Sequence, residues 1–388
     1  MSKPSVIIIG AGFTGVATAH DLAQRGFAVT VVERGEIASG TSGRTHGLLH
    51  SGARYAVNDQ ESAIECIDEN LILRKIVPDV IEPNGGLFVG INDSDLAYVK
   101  AFCDGCEACH IPVEELNPQQ VLRMEPALTS KTIVAYTVPD GTFDPLRLAL
   151  AFAASSKKNG ARYHTYTEVE DFLTDGNGNV VGIKVWDRTD NTHKEMRADV
   201  VVNATGAWVG ELVDKIGANV PIKPTPGVMV AYDQRLTERV INRLNAPSDG
   251  DIILPQRRMM VTGTTSFAVE DLDYIPVDDH QVDLMLERGS ELLPALQHTK
   301  VRGAYMATRP LIGSGISGRS IARTFKCYDH KESDHIDGIV TITGGKATTL
   351  RAMAEKTADI VCQKLGVQAE CMTKELPLSS YRDYYRYA

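Results

Sequence analysis

The sequence predicts an α/β chain in which a parallel-sheet domain, built from separated pieces, is interrupted by an α+β cap. Three observations carry this. The chain opens as strand, glycine turn, helix and strand. Two apolar runs far downstream, Ala198–Val202 and Gly338–Thr343, lead into glycine-containing turns. The stretch near 210–325 alternates short apolar runs with turns such as Ser248-Asp249-Gly250, the pattern of a mixed or antiparallel sheet.

Ser5–Ile9 is almost wholly apolar, which suits a strand covered on both faces. A helix is expected from Thr14 to Arg25, stopped by Gly26, and a second strand over Ala28–Val32. A long helix follows from Thr348 to Leu365. The parallel-sheet domain is expected over 1–80, 140–210 and 325–370. The cap takes 81–139 and 211–324, and 371–388 forms a tail.

With 388 residues, 43% of them hydrophobic, the chain can bury an ordinary core. Its net charge of −10 argues against nucleic acid as a partner. It does not argue against a small anion, which needs only a few local arginines. Nothing resembles a signal peptide, and no run approaches the ~20 apolar residues of a membrane span. The odd count of seven cysteines fits a reducing compartment. The expected location is cytoplasmic, at most peripheral at the inner face of the cell membrane.

Gly10-Ala11-Gly12-Phe13-Thr14-Gly15 matches G-x-G-x-x-G between a strand and a helix. Glu33 ends the second strand 23 residues after Gly10. That context sets a Rossmann-type dinucleotide site apart from a chance glycine turn. Gly10 permits the tight turn, Gly12 lets a pyrophosphate approach the backbone, and Gly15 lets helix and strand close up. The helix N-terminus favours phosphate. Glu33 favours a free ribose hydroxyl, as in FAD or NAD. Asn203-Ala204-Thr205-Gly206-Ala207-Trp208 resembles the turn that returns two-domain FAD proteins to the flavin. Gly344-Gly345-Lys346 resembles their second flavin loop.

At Arg44-Thr45-His46-Gly47-Leu48-Leu49-His50-Ser51-Gly52-Ala53-Arg54-Tyr55 the chain resembles FAD-dependent glycerol-3-phosphate dehydrogenases, above all the catalytic subunit of the anaerobic enzyme. Gly263-Thr264-Thr265, Arg309-Pro310-Leu311 and Gly344-Gly345-Lys346 with Arg351 extend the likeness over essentially the whole chain. The resemblance implies a flavoprotein fold of the D-amino-acid oxidase and glycine oxidase type. It implies oxidation of glycerol 3-phosphate to dihydroxyacetone phosphate, with electrons passed to a quinone or a partner subunit. The FAD contacts it implies are Gly10, Gly12, Thr14, Gly15, Glu33 and Arg34 in the first unit, and Thr41, Ser42, Arg44, His46, Gly47 and Leu48 in the next segment. Val169 follows, then Ala204, Thr205, Gly206 and Trp208, then Gly344, Gly345, Lys346, Ala347 and Thr348. Anaerobic subunits of this type continue into a cysteine-rich region, whereas this sequence stops at Ala388. FAD is therefore expected as its one redox centre.

A phosphate dianion calls for guanidinium forks; the candidates are Arg54, Arg309, placed in a loop before Pro310, and Arg323. Each could instead be a surface ion pair. Proton transfer near neutrality favours histidine. His50 is the candidate base and His46 the alternative; either could merely pack on the flavin. Lys346 would steady negative charge, unless it only pairs with an acid. Tyr55 would donate to substrate or only pack. Rival readings are an oxidase that releases hydrogen peroxide, a 2-hydroxy-acid oxidoreductase, and a flavin-binding subunit without chemistry. Cys103, Cys106 and Cys109 sit at i, i+3, i+6 on an expected helix from Asp95 to His110. That is one face of a helix rather than a metal set, and no metal is expected. The run Tyr381–Tyr387 interleaves aromatic and basic residues, as a disordered end or as a tail that rests on a membrane or a partner.

Overall fold

The computed structural model describes residues 3–269, 271–313 and 324–387. Strand β1 (Ser5–Ile9), helix α1 (Phe13–Gln24) and strand β2 (Ala28–Val32) form the opening unit. Gly26, at φ +90°, ends α1. Its N–H donates to Ala23 O at 3.1 Å and that of Phe27 to Leu22 O at 3.1 Å, the paired bonds of a Schellman cap.

The two strands belong to a six-stranded sheet. Its order is Phe325–Asp329, Ile339–Gly344, Val200–Asn203, β1, β2 and Arg162–His164. All pairs are parallel except the first. Side chains of β1 alternate between two cores: Val6 and Ile8 join one, Ile7 and Ile9 the other. Both faces are dry, so the strand reads as an unbroken apolar run. Three helices cover the first face: α1, Pro145–Lys158 and Leu350–Leu365. The meander Thr167–Thr174, Val180–Asp187, Thr192–Arg197 lies on the other side with residues 209–220.

An eight-stranded sheet makes the second layer system. Its long pair, Ile222–Tyr232 and Val301–Ile312, runs antiparallel, with Ile222 opposite Ile312. These strands are longer than the sequence pattern suggested, because Pro224, Pro226, Gly227 and Pro310 interrupt it. The prolines are tolerated where no ladder bond is needed. Val301–Ile312 is the sheet edge, and Pro224 and Pro226 precede the pairing with Met259–Gly263, which begins at Met229.

Helix α2 (Gln60–Ile76) connects the two sheets in sequence. It is tied to Leu350–Leu365 by a buried ion pair, Arg351 Nε to Glu69 Oε2 at 2.9 Å. The helix expected from Thr348 starts instead at Leu350, after a 3-10 turn over Ala347–Thr349.

The C-terminal run corrects the expectation of a free or surface-seeking tail. Leu378 N–H donates to Ile76 O at 2.8 Å and Ser379 N–H to Ser155 Oγ at 2.7 Å. Tyr384 is buried against Tyr163, and Lys157 Nζ lies 4.6 Å from its ring centre. Arg147 covers Tyr381 at 4.7 Å. Tyr381 and Tyr384 find cationic partners on the helix Pro145–Lys158, while Arg386 pairs with Asp383 inside the run and Tyr385 stays exposed. The cysteine triplet lies on the helix Asp93–Ala108 and its cap, with Cys106 and Cys109 buried. Burial pushes the Cys106 thiol up to about 12, away from the thiolate a metal needs. Among the described residues no helix is long and apolar enough to cross a membrane.

His20 is the core's weak point. It is 1% exposed, packs edge-on to Phe152, and both ring nitrogens are buried without a partner among the described residues. Burial lowers its pKa from 6.5 to about 4. Between those values the unfolded chain binds a proton that the folded one does not. Its stabilising share is thus whole above pH 6.5 and declines toward pH 4. His20→Leu is expected to raise stability by about 1–3 kcal/mol. It should also flatten the acid-side fall of the melting temperature, measured by calorimetry from pH 7.5 to 4.5.

Candidate active site

A cavity of about 1480 Å³ runs between the six-stranded sheet and the cap, larger than one small metabolite requires. One end is built from the tail of β1, the start of α1 and the end of β2. Gly10 there has φ +99°, and a Cβ on it would stand 2.8 Å from Ala204 O. A Cβ on Gly15 would meet Gly10 O at 1.9 Å, so only glycine lets α1 cross so close. A side chain on Gly12 would meet Ser42 Oγ at 2.9 Å and fill the wall. Ser42 also corrects a detail of the reading: its hydroxyl already accepts the Phe13 N–H at 2.9 Å, so one helix-start amide is engaged within the chain. Glu33 accepts from Ala11 N–H and Gly35 N–H, both at 2.8 Å. A carboxylate has about four acceptor sites, which leaves capacity for a ribose hydroxyl. This glycine-lined cradle with an acid at the end of β2 fits a dinucleotide.

Arg34 and Trp208 also line this end, with the guanidinium 4.5 Å from the indole centre. Asp273, from the cap segment between Met259–Gly263 and Asp279–Leu292, joins them. It accepts from Arg34 Nη2 at 3.2 Å and Trp208 Nε1 at 3.1 Å.

The other end is polar and basic. Residues 44–55 descend from a 3-10 turn through Leu48–Leu49, a short strand paired with Gly141–Phe143. His46 Nδ1 accepts the Leu48 N–H at 3.1 Å, so the ring proton sits on Nε2. Burial, then the charges of Arg309 and Arg54, push His46 down to about 3. It stays neutral and serves as a donor. The His50 ring lies 5.4 Å from that of Tyr55, and Lys346 Nζ lies 4.7 Å from the Tyr55 centre. Glu65, half-buried on α2, is pushed up to about 7 by burial against the opposing charge of Lys346.

Arg54 Nη2 donates to Asp251 Oδ2 at 3.0 Å and Ser248 O at 3.1 Å. Its Nη1 is buried with no partner among the described residues, as a donor awaiting a ligand would be. Arg309 lies in the edge strand opposite Thr225, not in a loop. It donates to the Thr264 hydroxyl, to Thr265 O at 3.2 Å and to Thr225 O at 3.4 Å. Gly227 makes room for it, since a Cβ there would meet Arg309 Nη2 at 2.5 Å.

The wall thus gathers His46, His50, Arg54, Tyr55, Arg309 and Lys346 at one end. At the other it gathers the first glycines, Glu33, Arg34, Val169, Ala204–Gly206 and Trp208. Thr41, Ser42, Arg44, Leu48, Gly344, Gly345 and Ala347 lie along its length. Gly15, Gly47 and Thr348 stand behind the wall: Gly47 is crowded by Gln256 and Phe143 O, and Thr348 Oγ1 accepts the His50 N–H at 3.1 Å. Arg323 lies outside the described residues. Sequence reasoning missed Asp251 and Asp273, which hold Arg54 and Arg34 in place, and it quoted Thr264 within a matching motif without giving it a role. No local signal marks the two acids, because each acts on a residue far away in the chain.

Comparison with known proteins agrees with this geometry. The family model described as FAD dependent oxidoreductase matches residues 5–360. A relative from Haloferax volcanii, named anaerobic glycerol-3-phosphate dehydrogenase subunit A1, is 44% identical over 395 residues, covering 98% of this chain and 67% of that protein. Among solved structures, the glycerol-3-phosphate dehydrogenase from Bacillus halodurans complexed with FAD has a TM-score of 0.74 at 27% identity. It covers 100% of this chain and 71% of that one. Glycine oxidase from Bacillus cereus has a TM-score of 0.73 at 25% identity, covering 95% of this chain and 96% of that one. The expected fold class is thereby met, and the chain belongs to the family of FAD-dependent oxidoreductases.

Proposed function

We propose that this protein oxidises glycerol 3-phosphate to dihydroxyacetone phosphate, with Arg54 and Arg309 binding the phosphate and His50 accepting the hydroxyl proton. The observation that carries the reading is the buried Arg54 Nη1, without a partner among the described residues, on the same wall as Arg309, His50 and Lys346. The names of the relatives that match nearly the whole of this chain support the substrate class.

Gly10, Gly12, Glu33, Thr205 and the turn at Gly344–Gly345 would hold FAD. When bound, FAD supplies the acceptor for the hydride on carbon 2. The chain supplies the rest. The two guanidinium groups orient the phosphate through charge-assisted bonds. Tyr55 and neutral His46 offer donors to the polyol, and His50 takes the proton from the reacting hydroxyl. The Lys346 ammonium, held over the Tyr55 ring, favours negative charge as it develops. The relative's name as a subunit supports electron delivery to a partner subunit; a quinone acceptor and a peripheral place at the membrane belong to the same proposal without support from that name.

Three measurements test this. Gly12→Val should give a colourless protein, since the added side chain fills the cradle beside Ser42; full flavin retention would overturn the assignment of that cradle. Arg309→Ala should weaken glycerol 3-phosphate by about 1.5–3 kcal/mol and affect glycerol far less in anaerobic titrations. Equal losses would give Arg309 a purely structural part. His50→Asn should keep the substrate Kd while slowing anaerobic flavin reduction ~10²–10⁴-fold; an unchanged rate removes His50 as the base.

A further inference from the structure

The main chain that carries His50 is gripped by side chains from three other segments. Thr348 Oγ1 accepts the His50 N–H at 3.1 Å. Asn70, on α2, donates its amide to Leu49 O at 3.2 Å and His50 O at 3.1 Å. The next amide, Ser51 N–H, donates to Asp140 Oδ1 at 2.7 Å. Successive peptide groups are thus fixed by atoms from outside the segment.

Asp140 is itself held from both sides of the molecule. Its Oδ2 accepts from Asn242 Nδ2 of the cap at 3.1 Å. Its backbone carbonyl accepts from Arg74 Nη2 at 2.8 Å, and Arg74 Nε donates to Asn70 Oδ1 at 2.7 Å. Asp140 is 3% exposed and Asn70 is 0% exposed. A carboxylate so far from water is costly to keep unless its acceptor sites are used. Here they are used on the neighbour of the candidate base. Neither Asp140 nor Asn70 lines the cavity, so neither is placed to touch a ligand.

The chain beyond Ser51 explains why an anchor is needed there. Gly52 has φ +92°, and a Cβ on it would stand 2.2 Å from Ala63 O. The segment therefore turns on a residue with no side chain of its own to fix it. Arg54, two residues on, has a separate anchor at Asp251.

We infer that Asp140 is a positioning residue for the proposed reaction: through Ser51, and with Asn70 and Thr348, it fixes the main chain of His50 so that the ring keeps one place on the cavity wall. The inference rests on the reading of His50 as the base. It also makes a separable demand, because losing Asp140 should disturb the base and spare the phosphate grip.

The test is anaerobic flavin reduction by glycerol 3-phosphate in the FAD-loaded protein. Asp140→Ala should lower the limiting rate about 10–100-fold, the range a displaced catalytic group costs, and leave the substrate Kd within about threefold. In a His50→Asn background the same change should cost less than about threefold more, since the group it positions is gone. Asp140→Asn, whose amide oxygen still accepts from Ser51 once Asn242 turns its own amide oxygen toward the new Nδ2, should return the rate to within about threefold of the parent. Thr348→Val removes the opposite grip without changing volume and should act in the same direction, about tenfold; it decides the matter if Asp140→Ala does not retain flavin. Parental rates in both Asp140→Ala and Thr348→Val, with His50→Asn slow, overturn the positioning role alone. An undiminished Asp140 effect in the His50→Asn background overturns it too, by making the loss general. A parental rate in His50→Asn overturns the base and the positioning role together.

Discussion

Glu69 and Arg351 meet in the interior, where the guanidinium makes bonds of 2.9 and 3.1 Å to the two carboxylate oxygens. Both residues are almost fully buried, and Arg351 is also held by Thr373 at 3.1 Å and Glu355 at 2.8 Å. An ion pair so placed contributes little net stability, yet removing one partner strands a charge and costs about 3–5 kcal/mol. Its value is geometric. It locks α2, which carries Asn70 and Arg74, to the helix that begins just after Gly344–Lys346. The His50 segment leans on the first helix and the Lys346 turn leads into the second. This contact and the His50 N–H bond to Thr348 Oγ1 together set the spacing between those loops.

The cations follow from the same logic. The Arg54 side chain can be buried because Asp251 and Ser248 take part of its fork, and half-buried Arg309 is held by threonine oxygens and a carbonyl. Each arginine is thus paired well enough to be tolerated away from solvent, and Arg54 keeps a donor without a partner among the described residues. Their joint field, added to burial, keeps His46 neutral. Two histidines four residues apart therefore have different surroundings: His46 is held by the Leu48 N–H in the field of the arginines, and His50 stands beside Tyr55.

What was legible in the sequence was local. Gly10, Gly12, Gly15 and Glu33 lie within one strand–helix–strand unit, and their spacing alone states the packing that the Cβ distances confirm. The run from Arg44 to Tyr55 was legible in another way, through its resemblance to a known family rather than through spacing. Arg309 was assigned to a loop because Pro310 reads as a breaker, and only the sheet order reveals an edge where proline costs no ladder bond. The terminal tyrosines looked unpartnered because Arg147, Lys157 and Tyr163 lie more than two hundred residues earlier. Asp140, Asp251 and Asp273 were invisible for one shared reason: an acid's role is set by what folding brings to it, and each is brought to a segment remote in sequence.

The two ends of the cavity are bridged by physically different contacts. At the dinucleotide end the cap is joined through Asp273 to Arg34, a pair whose side chains are 69% and 43% exposed. Such a pair is worth about 0–1 kcal/mol and is screened by salt. At the arginine end Arg54 and Asp251 are 8% and 4% exposed, in surroundings where screening ions do not reach and rearrangement means unpairing a buried charge. The pair at the arginine end is thus buried and little screened, and the pair at the dinucleotide end is exposed and salt-screened. The difference comes from burial, since both ends use the same arginine–aspartate chemistry.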